Sequence, residues 1–326
     1  MTIKSLLIGS AAAIVAASGA QAADAIVAAD PEPVEYVQVC DTYGDGYFYI
    51  PGTETCLKFS GYVQFQTVID DDADDAEHGV EARLQIDAKN DSEIGTIASQ
   101  IRLTNASAHA DGATAFNVDR AYMTIGDGNY WTVGLIGSPW DFSIVGEQNF
   151  LDGGVTRVAV GYTMAFDGGT ISLFAVDDQS ANATPDFIAK ATFTVGDLGI
   201  VAAWAHNESQ ASANSVKVNA TYMGFGAHVQ WSEDGAGSGV DYLADYEWVI
   251  GAGYGFDATD RLNIALAADM AMDKAGVSTV DDYALSANFT YQVAEGLEAA
   301  ARLTHKNGDS YADAENELRL RLKRSF

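Results

Sequence analysis

The stretch from Glu317 to Phe326 reads E-L-R-L-R-L-K-R-S-F and restricts the fold of the chain more than any other. Successive side chains of an extended strand point to opposite faces, so residues two apart share a face. One face of this stretch is therefore aliphatic and the other tribasic: Leu318, Leu320 and Leu322 against Arg319, Arg321 and Lys323. Such a strand suits a wall with lipid on one side and water on the other, and an amphipathic edge strand of a soluble sheet would also fit.

The same alternation recurs along most of the chain, in segments of about 10 residues. Short connections rich in turn residues separate some segments, at 90–93, 126–129, 167–169, 196–199, 224–226, 257–260 and 293–296. Longer connections separate the others, near 70–78, 105–115, 137–156, 177–186, 207–215, 233–245, 270–281 and 306–316. Strict alternation of short and long connections predicts an all-β fold, a 16-stranded antiparallel transmembrane β-barrel with all turns on the periplasmic side.

Basic residues keep to one phase of this alternation. Of the 16 Lys and Arg residues that follow Lys4, 13 lie opposite the apolar face, among them Arg83, Arg102 and Arg120. A Lys or Arg turned toward lipid near the bilayer midplane costs roughly 2–4 kcal/mol, so misplacing a few would exceed a typical folding free energy. We therefore expect these arginines and the basic residues of the 317–326 stretch to line the inner wall of a pore.

Periodicity alone does not separate a membrane barrel from a soluble one, whose apolar face would point inward. The number of strands favours the membrane barrel, and so does Phe326. This aromatic ending resembles the C-terminal signature of outer-membrane barrels, which implies a role as an assembly signal.

The first residues have the pattern of a secretory signal peptide. Residues 1–22 combine Lys4, an apolar run from Leu6 to Ala17 and a small-residue cleavage site that ends at Ala22. The run is shorter than the roughly 20 apolar residues of a spanning helix. Residues 23–35 are rich in Ala, Pro and acidic residues, which predicts an extended linker.

The charge balance excludes one class of partner. The chain has 17 Lys and Arg against 46 Asp and Glu, and loss of Lys4 with the signal peptide leaves 16 against 46, a net charge of −30. Nucleic acid is not expected as a partner, because binding it requires a basic face. The five histidines are scattered without a metal-ligand, nucleophile or phosphate-loop motif, so we expect no metal, no cofactor and no enzymatic activity.

Residues 36–56 contain the only two cysteines, Cys40 and Cys56, in a compact segment punctuated by Gly and Pro. In an exported chain such a pair predicts a disulfide, and zinc is disfavoured because neither a His nor a second Cys pair lies nearby. Closing a loop of this length stabilises a protein by about 3 kcal/mol in the chain-entropy model. We predict that 36–56 is a disulfide-closed periplasmic segment and that 57–326 forms the barrel.

The segment from Tyr36 to Leu57, followed by Lys58-Phe-Ser-Gly61-Tyr62, closely resembles the start of the alphaproteobacterial general porins. Those proteins open with V-x-V-C-D-x-Y-G-x-G-[YF]-[YF]-Y-I-P-G-T-x-T-C-L, and nearly every position is matched. The resemblance is sharp here and diffuse over the rest of the chain. It implies an outer-membrane location in a Gram-negative bacterium, a homotrimer surrounded by lipid and lipopolysaccharide, and passive diffusion of small hydrophilic solutes.

The third long connection is the longest and contains Pro139 and several large apolar residues, so we expect it to pack against another part of the chain. In general porins the corresponding loop folds into the barrel and narrows the pore. The resemblance therefore implies a constriction where three acids face the wall arginines: Asp141, Glu147 and Asp152. Any one of these acids could instead sit at a loop tip in bulk water.

Two charge patterns then compete, because the wall is basic while the mouths and the constriction are acidic. At physiological salt the Debye length is about 8 Å, so charges near the narrowest zone dominate and a weak cation preference is expected. The acidic run 70–77 fits a solvated loop better than a calcium site, and divalent bridging of such loops to lipopolysaccharide is a weaker hypothesis. A substrate-selective sugar or anion channel is the main alternative, and a surface adhesin barrel is the third.

Overall fold

The computed structural model of the chain describes residues 38–71, 76–107, 116–146, 150, 156–177, 184–208, 213–233, 245–274 and 281–326. These contain a short 3₁₀ helix, Asp41–Tyr43, and a short first strand, β1, at Phe48–Tyr49. Sixteen longer strands follow: β2 (Cys56–Asp70), β3 (Glu77–Asn90), β4 (Ile97–Ser107), β5 (Asn117–Ile125), β6 (Tyr130–Ile136), β7 (Arg157–Phe166), β8 (Gly169–Val176), β9 (Asp186–Val195), β10 (Leu198–Asn207), β11 (Ala213–Tyr222), β12 (Phe225–Ser232), β13 (Tyr246–Thr259), β14 (Leu262–Lys274), β15 (Asp282–Ala294), β16 (Leu297–Gly308) and β17 (Glu315–Ser325). No helix in these ranges is long and apolar enough to cross a membrane.

Each long strand pairs antiparallel with the next, and the last pairs with the first. β17 lies beside β2 with Leu320 opposite Thr67 and Arg319 opposite Val68, which closes the sheet into a ring. A closed sheet leaves no unpaired edge, as a barrel in lipid requires. The predicted 16-stranded antiparallel barrel is confirmed.

Two kinds of connection lie at the two ends of the barrel. The turn end has the short connections 91–96, 126–129, 167–168, 196–197, 223–224, 260–261 and 295–296. The loop end has the long connections 71–76, 108–116, 137–156, 177–185, 208–212, 233–245, 275–281 and 309–314. The tightest turns use glycine in the left-handed region, such as Gly196 with a φ of 59°, because other residues are strained there.

The two faces of the wall differ as the alternation predicts. Outward residues are apolar and about half exposed, for example Val80, Ile101 and Leu303. Outward aromatic residues gather near both ends: Trp204, Trp231, Trp248 and Tyr283 near the loop end, and Phe193, Tyr222, Phe225, Tyr254 and Tyr291 near the turn end. An apolar band flanked by aromatic girdles is the outer surface of a transmembrane barrel.

The segment before β2 is closed by a disulfide between Cys40 and Cys56, whose Cα atoms are 6.1 Å apart, which confirms the predicted pairing. Both cysteines are buried with Tyr47. Two inward lysines place the segment against the inner wall at the turn end. Lys58 Nζ lies 5.6 Å and Lys89 Nζ 5.2 Å from the centre of the Tyr47 ring, and Lys58 also donates to the carbonyl oxygen of Asp45 at 2.9 Å.

Candidate functional site

The basic residues that the sequence places on the inner wall lie on neighbouring strands around the closing seam. Arg83, Arg102 and Arg120 belong to β3, β4 and β5, and the basic residues of the 317–326 stretch belong to β17. Arg102 lies directly opposite Arg120 in the sheet register. On the β17 side of the seam, Arg302 of β16 lies directly opposite Arg319 of β17. The strands from β16 through β2 to β5 thus form a basic half of the lumen.

Asp119 compensates much of the charge of Arg102. The Arg102 guanidinium donates to both carboxylate oxygens of Asp119, from Nη2 at 2.6 Å and from Nε at 2.9 Å. Two-pronged contacts between guanidinium and carboxylate are among the stronger hydrogen bonds in proteins. The register between β4 and β5 shifts after Arg102, and Asp119 is the additional residue of this bulge.

Glu317 and Glu81 play the same part for three further arginines. Glu317 accepts from Arg302 Nη2 at 2.9 Å and lies 3.1 Å from Arg319 Nη2. Glu81 lies 3.3 Å from Arg83 Nη2 and also accepts from the hydroxyl of Tyr62. Three carboxylates therefore sit against four of the wall guanidiniums, which leaves the basic half less positive than its count of Lys and Arg suggests.

The pairing of Asp119 and Glu317 with arginines was not predicted from the sequence, for two different reasons. Asp119 precedes Arg120, so strict alternation puts the two on opposite faces, and only the bulge brings Asp119 to Arg102. Glu317 shares the phase of Arg319 and Arg321, so the same alternation that placed the arginines inward could have identified it.

The third long connection starts by running along the inner wall. Trp140 is fully buried in a cluster with apolar inward residues, among them Ile136, Phe174 and Ile188. The buried Lys217 of β11 donates from Nζ to the carbonyl oxygen of Trp140 at 3.2 Å. The same Nζ lies 4.6 Å from the centre of the Phe142 ring, a cation–π contact that partly replaces water around the charge.

The next residues of the connection reach strands farther round the ring. Ile144 is buried over β12, Val145 lies over β13, and Gly146 lies over Ala267 of β14. Phe150 packs edge-on against Tyr246 of β13, with ring centres 5.5 Å apart. The described part of the connection therefore covers the inner wall from the Trp140 cluster round to β14.

Two cavities show where the predicted acids stand relative to the wall. Asp141, an exposed residue, lines a cavity of about 440 Å³ together with Arg120 and Lys190. Gly146 lines a second cavity of about 230 Å³ whose other walls include Arg302, Arg319 and Arg321. Glu147 and Asp152 lie outside the described residues, so their contacts with the wall stay predictions.

Three of the six cations predicted for the pore wall differ from the paired arginines. Within the described part of the chain, no carboxylate lies within 4.0 Å of Arg120, Arg321 or Lys323. Lys323 Nζ instead lies 5.6 Å from the centre of the Tyr62 ring. The described residues also contain no group of three or more His, Cys, Asp or Glu side chains that could hold a metal ion.

Comparison with known proteins agrees with this architecture. A family model described as the porin subfamily matches residues 24–324. Porin Omp2a of Brucella abortus (strain S19) is 31% identical over 356 residues, covering 100% of both proteins. The outer membrane channel DcaP of Acinetobacter baumannii has a TM-score of 0.70 at 14% identity, covering 85% of this chain and 99% of its own. OmpT of Vibrio cholerae in its trimer form has a TM-score of 0.61 at 12% identity, covering 84% and 100%.

The family match and the closed barrel with a charged lumen together identify the family of proteins to which the chain belongs. The match to the porin subfamily spans nearly the whole chain, and a barrel with an apolar outer band belongs in the outer membrane of a Gram-negative bacterium. The chain is a member of the alphaproteobacterial porin family, an outer-membrane diffusion channel.

Proposed function

We propose that the chain forms a water-filled channel through which small hydrophilic solutes and ions diffuse passively, with a weak preference for cations. One observation carries the proposal: a loop segment with an exposed carboxylate, Asp141, lines the same cavity as the wall residues Arg120 and Lys190. Opposed charges across a narrow passage produce a transverse field that sorts solutes by charge and dipole. Solute size is then limited by the space between the loop and the arginine wall.

The cation preference rests on which charges an ion meets within a Debye length of about 8 Å. Asp119, Glu317 and Glu81 lie against four arginines, so the basic half presents fewer uncompensated charges than the sequence count suggests. Glu147 and Asp152 are proposed as constriction residues by the resemblance alone.

One observation favours a second candidate function, a channel selective for anions or sugars. Arg321 and Lys323 have no carboxylate within 4.0 Å among the described residues, and Arg321 lines the same cavity as Asn263 and Asn288. Cations and amides that converge on one cavity can hold a carboxylate or a sugar hydroxyl. Such a channel would show saturation of its current by one solute.

The outer surface supports a homotrimer in a lipid and lipopolysaccharide bilayer. The outward faces of the three neighbouring strands β3, β4 and β5 carry no Phe, Tyr or Trp in their described parts, whereas each strand from β9 to β13 carries at least one. Aromatic girdles sit at lipid headgroups, so a gap suits a surface that another protein covers. We infer that a second copy of the chain contacts β3 to β5, and the trimer form of the similar OmpT supports a homotrimer.

Conductance across a planar bilayer tests these proposals. The purified, folded protein is expected to give large ohmic steps in KCl, with a reversal potential in a salt gradient that indicates cations and grows as salt is lowered. A current that saturates with one sugar or anion would replace the general porin with the selective channel. A clear anion preference at low salt would show that the wall dominates, and a complete lack of steps would reject channel function.

A further inference from the structure

The inward face of β13 consists of glycine over three consecutive inward positions. The strand reads Y-E-W-V-I-G-A-G-Y-G-F-D-A-T, and its outward residues Ile250, Ala252 and Tyr254 alternate with Gly251, Gly253 and Gly255. Glycine in a strand interior weakens the strand and often marks a place where another part of the backbone approaches closely. Three such positions on one face therefore indicate that another part of the chain packs against that face.

The third connection lies on this glycine tract. A Cβ placed on Gly253 would collide with the carbonyl oxygen of Val145, and a Cβ on Gly255 would lie 2.7 Å from Val145 Cγ1. Gly226, which pairs directly with Gly253, would meet Ile144 in the same way, with 2.7 Å between the two Cβ atoms. All three contacts are closer than real Cβ atoms approach, so the loop occupies the space that side chains would fill.

Gly251 leaves the inward face of β13 free of a side chain for a different reason. The buried side chains of His228 on β12 and Asp269 on β14 meet across it, with Nε2 and Oδ1 3.3 Å apart. A Cβ on Gly251 would fall against both of these side chains. Because Gly251 has no side chain, the side chains of His228 and Asp269 can meet over β13 and stay beneath the loop.

We propose that Gly226, Gly253 and Gly255 form a seat that sets how far the third connection stands off the wall, and thereby sets the bore of the channel. This rests on the proposed function, in which that connection narrows the pore. Residues on the seat act through the loop, so they are positioning residues that need not touch the solute. A methyl group on the seat lifts Ile144 or Val145 toward the arginine wall and reduces the open area.

A new Cβ would meet a different atom of Val145 at Gly255 than at Gly253, so the two variants should respond differently to Val145→Ala. At Gly255 the obstacle is a side-chain methyl of Val145, which Val145→Ala removes. At Gly253 the obstacle is the backbone oxygen of Val145, which the same substitution leaves in place. The expected result is a lower single-channel conductance for Gly255→Ala that Val145→Ala restores, and a lower conductance for Gly253→Ala that Val145→Ala does not restore.

Gly199→Ala is the matched control. Gly199 belongs to the inward phase of β10 close to the turn end, and a Cβ there would meet only the hydroxyl oxygen of Thr221, at 2.8 Å. The variants are compared as full-length protein by conductance and by the rate at which sugars of increasing size enter liposomes. Folding is checked by the heat-dependent shift of the barrel on SDS gels.

The outcomes separate this inference from the proposed function. If wild type and Gly199→Ala conduct while Gly255→Ala conducts equally well, the seat does not set the bore and the inference is wrong. Restoration of both seat variants by Val145→Ala, or of neither, would overturn it as well. If Gly253→Ala fails to fold, the Gly255→Ala and Val145→Ala pair decides alone. A wild-type protein without conductance would reject the proposed function instead.

Discussion

Gly61 and Phe326 exchange two backbone hydrogen bonds, from Gly61 N to Phe326 O at 3.1 Å and from Phe326 N to Gly61 O at 3.0 Å. These bonds extend the pairing of β17 with β2 beyond Ser325. A Cβ on Gly61 would lie 2.8 Å from Cζ of the Phe326 ring and would press on the backbone oxygen of Arg83. The absence of a side chain at Gly61 therefore admits the ring of Phe326 to the outer surface of the seam.

We expect Gly61→Leu to weaken closure of the barrel, because overpacking a tight site costs about 1–3 kcal/mol. The measurement is the fraction of heat-modifiable barrel after refolding in detergent. Val63→Leu is the control, since Val63 lies on the same face of β2 and is 53% exposed. Equal yields for the two variants would show that the seam tolerates a side chain at Gly61. Phe326→Ala should lower the amount of assembled barrel in the outer membrane, which tests the predicted role of Phe326 as an assembly signal.

Reduction of the Cys40–Cys56 disulfide should lower resistance to urea. The bond closes a segment whose ends are 16 residues apart, for which the chain-entropy model gives about 3 kcal/mol. The difference in urea midpoint with and without reductant measures the effect. A double Cys40→Ala and Cys56→Ala variant should show no such difference. Alkylation of the wild-type protein, unfolded without reductant, should label no thiol.

Asp119→Asn should shift ion selectivity toward anions. The substitution removes the charge that faces Arg102 at 2.6 Å and leaves the guanidinium uncompensated on the inner wall. Loss of a partly buried partner should also cost about 1–3 kcal/mol of stability. Reversal potentials in a KCl gradient measure the shift, which should grow at low salt. Asp260→Asn, in an exposed turn, is the control, and an equal shift there would mean that only net charge matters.

The acid stability of the turn end should depend on Asp127. Its carboxylate accepts from the backbone N of Thr96 at 2.9 Å, which joins the β5–β6 turn to the β3–β4 connection. This hydrogen bond holds the pKa of Asp127 below its usual 3.8. A carboxyl with a lowered pKa stabilises the fold above its unfolded value and loses that contribution as pH falls through the folded value.

Asp127→Asn keeps an acceptor for Thr96 but cannot titrate. We expect this variant to lose less stability than wild type as pH falls below 3.8, the usual value of the carboxyl. Asp127→Ala, which lacks the acceptor, should be less stable at neutral pH as well. Urea midpoints of the three proteins across that range provide the measurement. Parallel pH profiles for wild type and Asp127→Asn would contradict the role of the charge.

Alternation was enough to predict the strands and their phase because a single misphased arginine in lipid is costly. It predicts an inward phase for Arg83, Arg102 and Arg120, which lie on the neighbouring strands β3, β4 and β5. It did not predict the bulge at Asp119, because an inserted residue has no signature of its own in a period of two. It also gave no reason to select Gly253 or Gly255. Their role depends on Val145, which is distant in sequence and meets them only after the ring has closed.

The disulfide-closed segment also makes the two ends of the channel different. At the turn end a covalently tied loop rests on Lys58 and Lys89, whereas the loop end carries the long acidic connections. An ion that enters from one end meets lysines and tyrosines held in place, and one that enters from the other meets a field of carboxylates first. Current through a single oriented channel should therefore differ in size when the voltage is reversed, so that the pore acts as a weak rectifier even in identical solutions.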